Sequence, residues 1–300
     1  MEADLEVPRL PTRVAHAGWD RQDFHGWSVF EELKGATFTE LVVLAISGRR
    51  PTPREVELID ALIVSATVAD PRIWPLKIAR LVSAYGSAWP GVAASYAWQA
   101  DAAVGAATGA SAARLLQELV AQVPEGDDEG LRAFLKRRPR GRGLPGFGVP
   151  FRPRDERLDA LAERLRELGH EGPYWSRVLE VRTISEEIGL EPNLALGTAA
   201  LFLDLGFDVT AIGHLGMVAL HAAYLANAVE GAVQAPELLQ HLPDAYVRYV
   251  GPAPRQSPRA HAAAAGSVAP PAPPGRRHPA HQHRQRPARP TRVGRGTLPR

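Results

Sequence analysis

Arg142-Gly143-Leu144-Pro145-Gly146-Phe147-Gly148-Val149-Pro150-Phe151, continuing through Arg152-Pro153-Arg154-Asp155-Glu156-Arg157, is the stretch from which the fold is read. It sets a glycine–proline turn between a basic run and a well-patterned helix. Residues 145–150 hold two prolines and two glycines, so no helix or strand interior passes through them. Gly146 and Gly148 let the backbone approach a ligand closely, and the arginines around them suit an anionic one. A surface loop between two helices explains the same composition. Both readings stand at this point.

Outward from the turn, almost every segment reads as a helix. Leu158, Leu161, Leu165 and Leu168 form one apolar stripe closed by Gly169, and the spacing is helical. Helices are expected at about 173–188, 193–205, 209–230 and 236–241, with Gly189 and Gly206 as terminators. Upstream, a short basic helix ends at Lys136-Arg137-Arg138-Pro139. Thr37-x-x-Glu40 is a capping box with Gly48 as its stop, and Thr52-Pro53-x-Glu55 opens a second helix in the same way. Three more helices are expected at roughly 75–85, 91–104 and 110–122. The middle one is rich in alanine (Ala93, Ala94, Ala97, Ala100), which permits close packing. No alternating pattern of useful length suggests a strand. The class is all-α, with more helices than a four-helix bundle needs.

Composition narrows the chemistry. The chain has 300 residues and no cysteine, which excludes disulfides, thiolate metal sites and cysteine nucleophiles. The overall charge of +2 conceals an asymmetry: residues 253–300 carry ten Arg, ten Pro, four His and no acid, which leaves −8 on residues 1–252. That tail cannot bury enough apolar surface to fold alone and is expected to be disordered. Its arginines would attract nucleic acid, but without interleaved aromatics the signal is weak and no nucleic-acid partner is expected. Met1-Glu2-Ala3-Asp4 is acidic and no apolar run follows, so no signal peptide and a cytoplasmic location are expected. The apolar stretch from Ala211 to Val229 contains His214, His221 and Asn227 and reads as a core helix rather than a membrane span. The two histidines share a helix face about 10 Å apart, too far for one metal ion, and no metal is expected.

Taken together these segments resemble the citrate synthase family, and its short citryl-CoA lyase-like branch in particular. The likeness runs from about Gly26 to Arg255. Gly26-Trp27 through Gly35, Phe38-x-Glu40 and Gly48-Arg49-Arg50-Pro51-Thr52 look like the opening motif of that family. Ile78 to Gly86 looks like the helix after its Asp-His-Gly turn. Leu144-Pro145-Gly146-Phe147-Gly148 looks like its coenzyme A loop, with Asp155-x-Arg157 as the arginine site that follows. Leu203-x-Leu205-Gly206 and Tyr249-Val250-Gly251-Pro252 fit the C-terminal part.

The resemblance implies a fold with large and small helical domains. Residues 1–20 would be an N-terminal extension, 21–110 and 200–252 the large domain, 111–199 the small one, and 253–300 the tail. It implies a coenzyme A thioester as ligand or substrate, with Arg142, Pro145, Gly146, Phe147 and Gly148 at the coenzyme and Arg157 and His25 at the substrate. It also implies a homodimer, or a heterodimer with a citrate synthase-like homologue.

Members of that family join the α-carbon of an acyl-CoA to a ketone by Claisen condensation, or run the cleavage. A carboxylate removes the α-proton, one histidine hydrogen-bonds the enolate-like thioester oxygen, another polarises the ketone, and arginines hold carboxylates. Here Pro71 stands in the Asp-His-Gly turn and Thr108 at the enolate-stabilising position. Val149 replaces the ketone-polarising histidine and Ala195 the base. Leu220 and Asn227 align with a C-terminal arginine and histidine, which leaves Arg157 as the surviving carboxylate-binding arginine. A general base supplies about 10²–10⁴-fold and an oxyanion donor about 10²–10³, so little of the family reaction should remain. The expectation is a diverged protein that keeps acyl-CoA or carboxylate binding or pairs with an active homologue. The alternative is an active CoA-dependent acyltransferase or lyase built from other residues.

Overall fold

The computed structural model describes residues 11–101, 107–137, 144–149, 152–234, 245 and 247–252. The expected helix at 236–241, the tail from 253, Arg138, Arg140 and Arg142 lie outside them. Eleven helices are described: α1 (Phe38–Ser47), α2 (Pro53–Ala66), α3 (Trp74–Ser83), α4 (Ala88–Asp101), α5 (Ala107–Gln122), α6 (Asp128–Lys136), α7 (Glu156–Glu167), α8 (Pro173–Ile188), α9 (Leu194–Asp204), α10 (Val209–Val218) and α11 (His221–Val233). The class is all-α, as the sequence indicates.

Both capping boxes form. The Thr37 hydroxyl accepts the Glu40 amide at 3.2 Å while the Glu40 carboxylate accepts the Thr37 amide at 2.8 Å. Thr52 and Glu55 repeat the pattern at 3.2 and 2.7 Å. Each box satisfies two amides that have no partner inside the helix.

One element was not anticipated. β1 (Ala15–Ala17), β2 (Gln22–Phe24) and β3 (Trp27–Ser28) form a small antiparallel sheet, with Ala15 opposite Phe24 and Phe24 opposite Trp27. Strands of two or three residues are too short to display the alternation by which a strand is recognised.

α9 is the centre of the main core. Leu194, Leu196 to Leu203 without a gap, and hence nearly its whole circumference, are buried, which is the pattern of an interior helix. Its neighbours bring apolar stripes onto it. Leu158, Leu161 and Leu165 come from α7, Val178, Val181 and Ile184 from α8, and Ala112, Ala113 and Leu116 from α5. Burying one such leucine is worth about 1.5–3 kcal/mol.

α3, α4 and α11 pack together around two smaller clusters, Leu76–Ala223–Tyr224 and Ala79–Val92–Ala228. The crossings are close because they are made at glycines. A Cβ on Gly91 would lie 2.4 Å from the Ala79 carbonyl oxygen, and one on Gly231 2.6 Å from that of Arg80. The stretch 209–233 is long and apolar enough to cross a membrane. The chain instead turns at Ala219–Leu220, and α10 and α11 each bury one face. The expected single helix at 209–230 is therefore two. No glycine or proline marks that break. Leu220 packs against the main core and against the Tyr224 cluster, so tertiary packing, which leaves no local signature, accounts for it.

The chain divides into two compact units, 1–241 and 242–300. In the second, the Tyr249 hydroxyl donates to the Pro252 carbonyl at 2.9 Å.

Candidate functional site

The glycine turn is fastened to the α8–α9 linker. Phe147 bridges Pro192, and Gly148 N–H donates to the Glu191 carbonyl at 2.7 Å. Asn193 N–H donates to the Gly146 carbonyl at 2.9 Å, and the Asn193 side-chain amide donates to the Gly148 carbonyl at 2.8 Å. The Phe147 amide closes the turn on Leu144 at 3.0 Å. The amides of Phe147 and Gly148 are thus engaged within the protein, and an anion at this turn would need other donors.

The two glycines differ in kind. Both have positive φ, 84° and 83°, a region that costs other residues about 1–2 kcal/mol. A Cβ on Gly146 would also lie 2.8 Å from Leu196 Cδ1 and 3.3 Å from Ala112 Cβ, whereas one on Gly148 would meet nothing within 4 Å. Gly146 serves the contact between the turn, α5 and α9. Gly148 is exposed and faces open space.

Asp155 ties the next segment to the same place. Its carboxylate is 1 % exposed. Oδ1 accepts the Arg157 amide at 3.2 Å and Arg157 Nε at 2.7 Å, while Oδ2 accepts Arg157 Nη2 at 2.8 Å and the Leu194 amide at 2.8 Å. One side chain therefore caps α7 and ends the amide row of α9. It also holds Arg157 in a two-pronged ion pair. Arg157 sits beside the turn, with its guanidinium already on a carboxylate of its own chain.

Ala195 lies in the first turn of α9, half-buried, and its amide donates to Asn193 Oδ1 at 3.0 Å. Val149 is half-buried at the end of the turn. Thr108 is half-buried in the first turn of α5, one turn before Ala112, whose methyl lies against Gly146. Pro71 lies exposed in the turn before α3. Beside it the Arg72 guanidinium, aided by its amide, holds the Asp70 carboxyl down at about 2. The structure thus gathers the turn, Val149, Arg157 and Ala195 at one end of α9, with α5 alongside.

His25 lies elsewhere. It has a φ of 50° and a buried Nε2 without a hydrogen-bond partner, and its Nδ1 lies beside Gly48. The neighbouring Arg49 stacks 4.5 Å from the Phe207 ring and donates to the Leu205 carbonyl at 3.2 Å. That is the C-terminal end of α9, about 15 Å from Ala195 by helix rise.

Two groupings had no signature in the sequence. The Tyr96 hydroxyl and His221 Nδ1 lie 2.9 Å apart, joining α4 to α11. Burial pushes the Tyr96 phenol up to about 12, so the phenol keeps its proton near neutral pH. The other is a cavity of about 490 Å³ lined by Arg154, Leu179, Arg182, Thr183, Ser185 and Glu191. The pair brings together α4 and α11, and the cavity brings together α8 and two loops, so both form only on folding. Among the described residues no cluster of three or more His, Asp or Glu is arranged to hold a metal ion.

This architecture, a buried central helix with a glycine turn clipped to its N-terminus, is the citrate synthase-type fold. The chain is similar over 83% of its length to citryl-CoA lyase from Hydrogenobacter thermophilus, covering 98% of that chain at 23% identity and a TM-score of 0.67. It is similar over 83% of its length to Methanosaeta concilii ATP citrate lyase in complex with (3S)-citryl-CoA, at 15% identity and a TM-score of 0.63, and spans 43% of that longer chain. Citrate synthase from Thermoplasma acidophilum, in a ternary complex with carboxymethyl coenzyme A and oxaloacetate, matches 74% of this chain and 59% of its own at 15% identity and a TM-score of 0.52. No protein-family model matches the sequence, and no curated protein matches it.

Proposed function

We propose that the chain is a diverged citrate synthase-like protein that binds a coenzyme A thioester at the 145–149 turn and does not run the acyl-CoA/oxaloacetate condensation. The observation that carries this reading is the first turn of α9. There stands Ala195, which the family resemblance aligns with the catalytic base, and Asp155, the nearby buried acid, is engaged by the Leu194 amide and by Arg157. With both oxygens occupied by a guanidinium and backbone amides, that carboxylate is not placed to reach a substrate proton. Val149 has no proton to give, and a Thr108 hydroxyl cannot act as a base near neutral pH. The division into a large domain (21–110 with 200–252) and a small one (111–199) belongs to the same proposal.

The ligand would approach along the open side of Gly148. Arg157, His25 and Arg142 remain proposed ligand contacts. His25 requires a ligand, or a second subunit, that reaches the other end of α9.

Pairing is proposed through α4. Trp89, Ala93, Ala97 and Ala100 are exposed along that helix at spacings of four, four and three, which is one helical face. Small residues on such a face allow two helices to approach closely. The partner is a second copy, or a homologue that supplies the missing groups.

The test is thiol release from acetyl-CoA or propionyl-CoA in the presence of oxaloacetate, combined with a thermal melt in millimolar coenzyme A. A raised melting temperature without turnover is expected. Turnover within about a hundredfold of ordinary enzyme rates would overturn the inactive reading, and an unshifted melt would overturn binding.

A second reading is an active CoA-dependent enzyme using other residues. The Tyr96–His221 pair favours it, since a hydrogen-bonded phenol and imidazole can relay a proton. Turnover abolished by His221→Ala would establish it.

A further inference from the structure

The small sheet carries an aromatic side chain that packs into no core cluster. Trp19 is fully exposed in the turn that joins β1 to β2. The Gly18 amide closes that turn on the Arg21 carbonyl at 2.7 Å, and the Gln22 side-chain amide donates to the Gly18 carbonyl at 2.9 Å. The indole is therefore presented on a fixed loop, which lowers the entropy lost when something docks on it. Across the sheet the Val29 amide donates to the Gln22 carbonyl at 2.9 Å. The next residue, Phe30, is 64% exposed.

The surroundings are acidic. Residues 18–40 hold Asp20, Asp23, Glu31, Glu32 and Glu40 against Arg21 and Lys34, a net charge of −3. Arg21 Nε is bonded to both oxygens of Asp23 at 2.8 Å. The Asp23 carboxylate, and more weakly those of Glu31 and Glu32, raise the Arg21 guanidinium above its ordinary value, so the acidic segment after β3 lies close to the hairpin turn. Asp20 and Glu31 are exposed.

That combination selects its occupant. Nucleic acid or an anionic lipid surface is repelled, and the same patch of another copy would bring two net charges of −3 together. An uncharged apolar helix would cover the rings but strip the carboxylates of water. A cationic extended segment suits both features. Arginine stacks on aromatic faces and pairs with carboxylates, and a proline-rich chain docks on exposed aromatics already stiffened as a polyproline II helix. Residues 286–295 have this chemistry. They place Arg286, Arg289, Arg292 and Arg295 at intervals of three, include Pro287 and Pro290, and contain no acid. Three residues are one polyproline II turn of about 9 Å, so in that conformation the four guanidiniums would share one edge.

We propose that the Trp19–Phe30 surface docks residues 286–295 of a second copy of this chain as a polyproline II segment. The Trp19 ring is the anchor, and the arginine edge faces Asp20, Glu31 and Glu32. This inference is independent of the coenzyme A reading.

The experiment reads Trp19 in the full chain by fluorine NMR after incorporation of fluorotryptophan. Its resonance is assigned as the one missing from Trp19→Phe. The wild type is compared with Glu31→Lys and with a chain carrying Arg286→Gln, Arg289→Gln, Arg292→Gln and Arg295→Gln together. Thermal melts verify that each folds. At low ionic strength the wild-type resonance is expected to move with protein concentration and to return as salt is added. The four-glutamine chain should associate through this surface at least about tenfold more weakly, since each exposed ion pair is worth up to about fivefold. Glu31→Lys should weaken association in the same direction. A resonance that ignores concentration and salt and is the same in the wild type and the four-glutamine chain overturns the inference. A difference between those two that persists on dilution assigns the surface to the segment of the same chain and overturns the second copy. Concentration dependence undiminished in the four-glutamine chain shows that another surface covers Trp19, and overturns the inference as well.

Discussion

A single carboxylate, that of Asp155, joins the N-termini of α7 and α9 and neutralises Arg157. Replacing it with alanine leaves the buried Leu194 amide without a partner and Arg157 without a counter-ion. Asp155→Ala should destabilise the protein by about 3 kcal/mol, read as a lower urea midpoint with an unchanged slope. Asp155→Asn should cost less, since one acceptor remains. The sequence shows Asp155 as a helix cap two residues before an arginine. The Leu194 contact lies 39 residues away, and no local pattern announces it. Asp70 gives a second residue-scale prediction. Its bonds to Arg72 depress its pKa to about 2 from an ordinary 3.8, with Arg152 adding a smaller push in the same direction. A depressed carboxylate contributes stability that is present above the ordinary pKa and lost as pH falls through the folded one. The Asp70–Arg72 contact should therefore persist from neutrality down to about pH 2. A carboxyl-carbon NMR titration reads this directly, and Arg72→Ala should move the midpoint up toward the ordinary value.

At the scale of elements, the turn separates folding from binding through its two glycines. Gly146→Ala combines a positive φ with contact distances no Cβ can accept at Leu196, and should cost about 2–4 kcal/mol. Gly148→Ala meets open space, should cost about 1 kcal/mol, and should weaken coenzyme A binding more than it weakens the fold. Equal losses of stability, read from parallel melts, would contradict the division of labour drawn here. Elements defined by near neighbours were legible beforehand. Thr37–Glu40 and Thr52–Glu55 are three-residue devices, and the leucine stripe of α7 lies within one helix. The sheet at 15–28 was not legible, because its strands are shorter than the period that identifies them. The break at Ala219–Leu220 was hidden because the apolar period continues through it.

For the whole molecule, the distant pieces of the site meet because α9 is buried along its length and carries the turn, Asp155 and Ala195 at one end. Sequence motifs indicated which residues belong near one another. They did not show that Arg157 would already be paired, or that Arg154 and Arg182 would face each other across Asp159, since side-chain partners depend on helix packing. Pairing through the α4 face predicts a particle of about twice the 32.4 kDa chain mass by light scattering, and Ala97→Glu should reduce it to a monomer by placing a charge at the contact. A wild-type monomer would contradict the homodimer. The central claim is that the site binds a thioester and has no base to act on it. Its most direct test is exchange of the α-protons of acetyl-CoA in D2O, followed by proton NMR with the protein at a concentration that saturates with ligand. The account predicts exchange no faster than in buffer while the ligand is bound. Protein-dependent exchange that saturates with acetyl-CoA would show that a base is present and would contradict it.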